Sequence, residues 1–219
     1  MMQTSVVEKL EAFFSQFPKR KFKKKEIIIH AGEMPQGVYY LHDGLVRQYT
    51  LSSKGEEAVL NIYRAPSFFP LRQLFDEVEC QQYFEAMTEV HMWLAPKEAV
   101  RNFLRENPDV LMDLLARMNR GLDGLLERLS YLMAGTAYER VITEVLLYLS
   151  RFGEKKEISS KEASGIRISA KQIAIQSGLT RETVTRELAI LKTKGLITFE
   201  KNMLTVPDLD KLKRELVEG

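Results

Sequence analysis

Cysteine is almost absent from this chain: 219 residues include one, Cys80. A single thiol excludes an intrachain disulfide framework and any zinc or iron–sulfur site made of cysteines alone. It fits a reducing compartment. Long apolar runs are also missing. Hydrophobic residues make up 45% of the chain, yet none of its stretches reaches the ~18 consecutive apolar residues of a membrane span. The opening MMQTSVVEKLEAFF lacks the basic-then-apolar layout of a secretion signal. The expected location is cytoplasmic, with no membrane partner. Nor does one sign of charge dominate: 32 basic residues stand against 30 acidic. Whole-chain charge therefore names no partner, and a nucleic-acid site must rest on local charge.

What is present begins with a helical pattern over residues 1–17, with Val7, Leu10, Phe13, Phe14 and Phe17 on one side and Pro18 as the stop. The basic run KRKFKKKE follows. It reads either as a phosphate-binding arm or as the solvated approach to a first strand. From Ile27 to about Leu94 short strands alternate with turns. Ile27 to Ile29 and Val38 to Leu41 come first, and Asp43-Gly44 marks a tight turn. Leu45 to Leu51 and Ala58 to Tyr63 flank the turn Ser52 to Gly55. In a last strand Phe84, Ala86, Thr88, Val90, Met92 and Leu94 alternate onto one face. Many short strands imply a β-roll or small barrel.

The period then changes. Pro96 is expected to open a helix whose apolar face is Val100, Phe103 and Leu104, and Asn107-Pro108 ends it. In the long helix that follows, Leu111, Leu115, Met118, Leu122, Leu125, Leu129 and Leu132 are spaced alternately by four and three. That heptad seam predicts a coiled-coil homodimer, against the alternative of one helix packed on its own domain. Charges flank the narrow stripe: Asp113, Arg117, Arg120, Asp123, Glu127 and Arg128. Gly121 and Gly124 each weaken such a helix by up to ~1 kcal/mol relative to alanine, and serve either close backbone approach or bending. Ala134-Gly135-Thr136 is the expected hinge. Val141, Ile142, Val145, Leu146 and Leu149 form another amphipathic helix, and the polar stretch Gly153 to Gly165 reads as an exposed loop.

The decisive segment is ISAKQIAIQSGLTRETVTRELAILKTKGLITFE, residues 168–200. Ser169 with Gln172 makes a capping box that starts a helix. Ser177-Gly178-Leu179 is a glycine turn, and Thr180 caps the next helix. There Val184, Leu188 and Leu191 point inward, while Arg181, Glu182, Thr185 and Arg186 share the opposite face. Helix, glycine turn and helix with such a face is a helix-turn-helix. Arginine bonds two acceptors on a guanine edge, and glutamate accepts from a cytosine amino group. Lys171, Arg181, Arg186, Lys192 and Lys194 outnumber Glu182 and Glu187, a local excess suited to phosphates. Leu196 to Phe199 and Leu204 to Val206 are expected to pair around Lys201-Asn202 as a wing.

Residues 168–206 resemble the DNA-binding end of the Crp–Fnr family of transcription regulators. The match lies in Gly178-Leu179-Thr180-Arg181-Glu182-Thr183-Val184-Thr185-Arg186 and in Leu191 through Gly195-Leu196-Ile197. The order of parts is similar too. The resemblance implies an α+β fold: an N-terminal β-roll (double-stranded β-helix, jelly-roll-like), a long dimerisation helix and a C-terminal winged helix-turn-helix. Residues 1–106 would be a cyclic-nucleotide-binding-like effector domain, 107–134 the dimerisation helix and 135–219 the DNA-binding domain. It implies that Glu182 and Arg186 read a TGA-containing half-site of palindromic double-stranded DNA, that Arg181 and Thr185 tune neighbouring positions, and that Thr180 touches phosphate. With Ser169, Lys171, Lys192 and Lys201 these are the expected DNA contacts. Two recognition helices would lie ~34 Å apart, and the family usually activates transcription by touching RNA polymerase.

The roll departs from the family's nucleotide-binding pattern. Ligand-binding members carry a Gly-Glu pair for the ribose and an arginine for the cyclic phosphate. Here the first site reads Phe68-Phe69-Pro70-Leu71, the second falls near Cys80-Gln81-Gln82, and no arginine occurs from Gln73 to Val100. A phosphate buried without a cation is strongly disfavoured, so an effector other than cyclic AMP or cyclic GMP is expected. Its site and identity are unknown, and no cofactor is expected. Haem on His30, His42, His91 or a methionine stays open, as does a redox role for Cys80 against that of a small buried hydrophobe. Phe68, Phe69, Tyr83, Phe84 and Trp93 either line an apolar pocket or are core. The remote alternative is a cupin-like β-roll enzyme, but the three histidines lack its paired spacing, and no Ser–His–Asp or phosphate-loop signature appears.

Overall fold

The computed structural model describes residues 4–53, 55–158 and 161–218. Two compact units part inside one long helix, between Asn119 and Arg120. The first holds α1 (Thr4–Phe14), β1 (Lys19–Phe22), β2 (Ile27–Ile29), β3 (Val38–Asp43), β4 (Leu45–Leu51), β5 (Glu57–Arg64), β6 (Ser67–Phe69), α2 (Arg72–Phe75), β7 (Tyr83–Ala86), β8 (Val90–Ala95), α3 (Lys97–Glu106) and the start of α4 (Pro108–Ala134). Its strands form two four-stranded sheets, in the orders β1-β8-β3-β6 and β2-β7-β4-β5. Among the described residues their strand pairings are antiparallel.

Strand alternation explains how one sheet serves two cores. In β3, Tyr39 and Leu41 face the space between the sheets, with Val46, Phe69, Phe84, Ala86, Val90 and Met92. Val38 and Tyr40 face the other way, under helices that supply Val6, Leu10, Phe14, Val100, Leu104, Val110 and Leu114. The buried edge of α1 is thus Val6-Leu10-Phe14, with Phe13 and Phe17 packed beside it. Val7, expected on that edge, is only half-buried.

One strand expectation needs correction. Residues 84–94 are not one strand. β7 and β8 lie in different sheets, and the corner between them is held by Thr88, whose hydroxyl accepts the Leu45 N–H at 3.1 Å. The corner preserves parity, so Phe84, Ala86, Val90, Met92 and Leu94 still reach one core. At Asp43-Gly44, the expected tight turn, the chain passes from one sheet to the other, since β3 and β4 belong to different sheets. Gly44 has φ +96°, and a Cβ there would stand 2.6 Å from the Glu89 carbonyl oxygen, so only glycine fits.

The second unit takes the rest of α4, then α5 (Ala137–Phe152), β9 (Glu154–Ile158), β10 (Lys161–Arg167), α6 (Ala170–Ser177), α7 (Arg181–Thr193), β11 (Thr198–Glu200), β12 (Met203–Val206) and α8 (Leu209–Glu218). Its sheet runs β11-β12-β10-β9. The stretch Gly153 to Gly165, expected as a loop, is therefore mostly a hairpin. β10 pairs with β12, Ile166 opposite Leu204, and β9 adds at its other side. Residues 159–160 of that stretch lie outside the described residues. The core joins Val141, Ile142, Val145 and Leu149 of α5 to Ile173, Val184, Leu188, Leu191, Leu204 and Leu212. Between α4 and α5, Thr136 and Glu139 form a capping box, Thr136 N–H donating to the carboxylate at 2.6 Å. Among the described residues no helix is long and apolar enough to cross a membrane.

Candidate nucleic-acid interface

Local rules build the helix-turn-helix from its ends inward. The Ser169 hydroxyl accepts the Gln172 N–H at 3.2 Å, and the Gln172 side chain accepts the Ser169 N–H at 2.9 Å. Two orphan amides of α6 are thereby satisfied. α6 ends at Gly178, whose φ of +65° is left-handed, and the Leu179 N–H returns to the Ala174 carbonyl at 3.1 Å. A Cβ on Gly178 would meet nothing within 4 Å. Glycine is required there by backbone conformation rather than by space. The Thr180 hydroxyl then accepts the Thr183 N–H at 3.2 Å and starts α7.

On α7 the inward face is Val184, Leu188 and Leu191, all buried. The outward face gathers Arg181, Glu182, Thr185 and Arg186, which with Ala189 line one shallow, open surface. Glu182 is held below the ordinary carboxylate range by its own amide and by the Thr180 hydroxyl, so it stays an anionic acceptor. The Thr185 hydroxyl donates to the Arg181 carbonyl at 2.8 Å, keeping its lone pairs outward. Arg186 leans on Glu187, both contacts at 3.2 Å, while its side chain stays 69% exposed.

Lys171 and Lys192 are exposed on α6 and α7. Lys201 sits at the tip of the β11–β12 hairpin, where Lys201 (φ +49°) and Asn202 (φ +61°) are both left-handed. That pair of angles marks a tight type I′ turn, and makes the wing a true hairpin. The Ser169 hydroxyl is engaged in its cap. Lys194, counted with the local positive charge, is committed elsewhere. It pairs with Glu215 of α8 and lies 4.9 Å from the Tyr138 ring centre. Glu187 lies off the outward face that helical spacing marks. It is buried beside Arg186, and adjacency in the chain was the one available signal.

The seam of α4 is laid out as its spacing requires. Leu115, Met118, Leu122, Leu125 and Leu129 are each about half exposed, between 45% and 55%, and Leu111 and Leu132 are partly buried. Beyond the seam Met112, Leu126 and Met133 are exposed too. The flanking charges divide. Arg120, Asp123 and Glu127 are exposed. Asp113 and Arg117 form a pair at 2.8 Å with Arg117 over the Phe68 ring, and Arg128 turns inward to Glu144. These three are not solvated flanks: Asp113 is held by Arg117 one turn along the same helix, and Arg117 and Arg128 meet partners on other elements. At Gly121 a Cβ would meet nothing within 4 Å, so within the chain close approach does not explain that glycine.

In the roll, aromatic rings occupy the space between the sheets. Phe69 stacks on Phe84 with centres 5.0 Å apart, and Tyr63 lies 4.9 Å from Phe69. Phe68 and Trp93 belong to the other core, and Tyr83 stacks on Tyr49 at 5.2 Å. The five aromatics therefore line no single pocket. Arg47, on β4, donates to Glu57 at 2.5 Å and Glu85 at 2.7 Å. Cys80 is fully buried, its thiol donates to the Gln82 carbonyl, and burial pushes its pKa up. His30, His42 and His91 are exposed. The basic run forms an edge strand whose Lys21 pairs with Glu89 at 2.8 Å, which agrees with a solvated, lysine-protected edge.

Comparison with known proteins adds two family matches. A cyclic nucleotide-binding domain model matches residues 19–107, and a Crp-like helix-turn-helix domain model matches residues 139–215. The cAMP-activated global transcriptional regulator CRP of Pasteurella multocida is 29% identical, covering 94% of this chain and 98% of its own length. The global nitrogen regulator of Nostoc sp. is 27% identical, covering 84% of this chain and 83% of its own. A solved CRP/FNR-family transcriptional regulator of Thermus thermophilus is similar with a TM-score of 0.70 at 26% identity, over 92% of this chain and 99% of that one.

Proposed function

We propose that this chain, which belongs to the Crp–Fnr family of transcription regulators, works in the cytoplasm as a homodimer that reads palindromic, TGA-containing DNA through α7. The observation that carries this reading is the open face of Arg181, Glu182, Thr185 and Arg186 over the buried row Val184, Leu188 and Leu191. Glu182 and Arg186 make the base contacts, and Arg181 and Thr185 tune neighbouring positions. Thr180, Lys171, Lys192 and, on the wing, Lys201 hold phosphates, while Ser169, whose hydroxyl is taken by its own cap, starts the helix that presents Lys171. Base contacts specify, and phosphate contacts position. The seam Leu111, Leu115, Met118, Leu122, Leu125, Leu129 and Leu132 in segment 107–134 joins two copies. RNA polymerase is the further partner through which the bound dimer acts.

The effector is not cyclic AMP. Aromatic rings stack where the sheets face each other, and the half-buried guanidinium of Arg47 is already engaged by two carboxylates. No arginine lies between Gln73 and Val100 to meet a cyclic phosphate. The contrary reading, a cyclic-nucleotide response, is favoured by the domain model over residues 19–107 and by the name of the Pasteurella relative. Titration of DNA binding with cyclic AMP separates the two: unchanged affinity is expected, and a rise would favour the contrary reading. Relatives of the chain are regulators, which sets aside the cupin-like enzyme. The test of the main reading is binding to a TGA palindrome by wild type and by Arg186→Ala. Loss of specific binding in the variant, with the dimer intact, is expected. Equal binding would refute it.

A further inference from the structure

One buried guanidinium ties three helices of the C-terminal unit together. From α4, Arg128 Nε donates to Glu144 Oε1 of α5 at 2.6 Å. Its Nη2 donates to the Gln176 backbone carbonyl at 2.8 Å and to Gln176 Oε1 at 2.5 Å, both on α6. The site is shielded: the side chains of Arg128 and Glu144 are 15% and 4% exposed, and Gln176 is buried. Gln176 stands one residue before the end of α6, and its carbonyl is among those a helix C-terminus leaves without a partner. A cation there is also favoured by the helix dipole. Two residues later Gly178 sets the turn into α7. The grip therefore falls on the segment that aims the recognition helix. The rigid fork of arginine aims separate N–H groups at the carboxylate and at the two Gln176 acceptors; lysine gathers its donors on one freely rotating nitrogen.

We infer that Arg128 is a positioning residue that fixes the half-site spacing the dimer accepts, by locking the angle between α4 and α6–α7. This rests on the reading of α7 as the DNA-reading helix and of α4 as the dimer seam. In such a dimer the seam defines the two-fold axis, so a rigid link from α4 to α6 sets how far each α7 stands from that axis. A loosened link lets the recognition helices shift, and the protein tolerates longer or shorter spacers.

The experiment measures binding of wild type, Arg128→Lys and Arg128→Leu/Glu144→Leu to TGA palindromes whose spacers differ by one base pair. Sedimentation and thermal melting are read in parallel. Arg128→Lys keeps a charge for Glu144 but loses the fork. It is expected to remain a folded dimer while its preference for the best spacer falls about tenfold, ~1.4 kcal/mol. The double variant replaces a buried ion pair by apolar side chains, a change that often preserves stability. It is expected to remain a folded dimer, somewhat less stable because the buried Gln176 oxygens lose their donor, yet still not discriminate spacers. A merely structural pair would instead show discrimination returning with the fold. Unchanged discrimination in Arg128→Lys, or its recovery in the double variant, overturns the inference. Arg186→Ala is run alongside. If it retains specific binding, the reading of α7 fails. If it loses specific binding while Arg128→Lys discriminates normally, only the positioning role fails.

Discussion

Replacing Leu122 and Leu129 by alanine tests the α4 seam at its centre. The two side chains are 51% and 48% exposed in the single chain. Burying a whole leucine contributes ~1.5–3 kcal/mol, so covering the exposed half contributes about 1 kcal/mol per side chain. A two-fold dimer removes each side chain twice. Alanine keeps one methyl, and the summed loss comes to ~3 kcal/mol, which raises the dimer dissociation constant on the order of a hundredfold. Neither residue belongs to the cores of either unit, so the fold persists. Sedimentation velocity across a concentration series reads the dimer, and circular dichroism checks the helices. A dissociation constant equal to that of wild type would refute the seam as the interface, and would leave its exposed leucines unexplained.

Other outcomes follow from the same geometry. Glu182→Ala should cost ~1–3 kcal/mol for each lost base contact and leave the salt slope unchanged, whereas Lys192→Ala should weaken all sequences alike and reduce the slope by about one; binding at two salt concentrations distinguishes them. Glu139, held by the Thr136 amide and hydroxyl, and Glu215, held by Lys194 and Tyr138, both have lowered pKa values. Lowered folded values mean that their contribution is complete above the ordinary glutamate pKa and fades as pH falls below it. Urea unfolding at pH 6 and pH 3.5 should therefore show a steeper loss for wild type than for Glu139→Gln/Glu215→Gln, and parallel losses would contradict this. The Cys80 thiol should alkylate slowly in the native protein and rapidly in urea; equal rates would reopen the redox role.

The parts most legible in the sequence were those written in local chemistry. The capping box at Ser169, the glycine turn at Gly178 and the seam on α4 depend on neighbours three to seven residues apart, which spacing reports directly; the box at Thr136 has the same spacing but stands in a stretch that reads as a hinge. The β9–β10 hairpin was not legible. Glu154 to Ile158 holds a single apolar residue, and the strand forms because β10 is already paired to β12 through positions such as Ile166 opposite Leu204. The corner at Thr88 was hidden for another reason: the alternation of Phe84, Ala86, Val90 and Met92 passes through it without a change of parity. Charged residues on α4 were the hardest to place. Arg128 meets Glu144 and Gln176, sixteen and forty-eight residues away, and no helical spacing separates a solvated arginine from one that folding turns inward.

The central claim is that α7 of a two-fold dimer reads DNA sequence. Selection of duplexes from a randomised library by the purified protein, followed by sequencing, tests it most directly. The expected result is enrichment of an inverted repeat with TGA in each half-site, the two halves spaced by about one helical turn, ~34 Å. Enrichment of no sequence, or of a motif without two-fold symmetry, would contradict it.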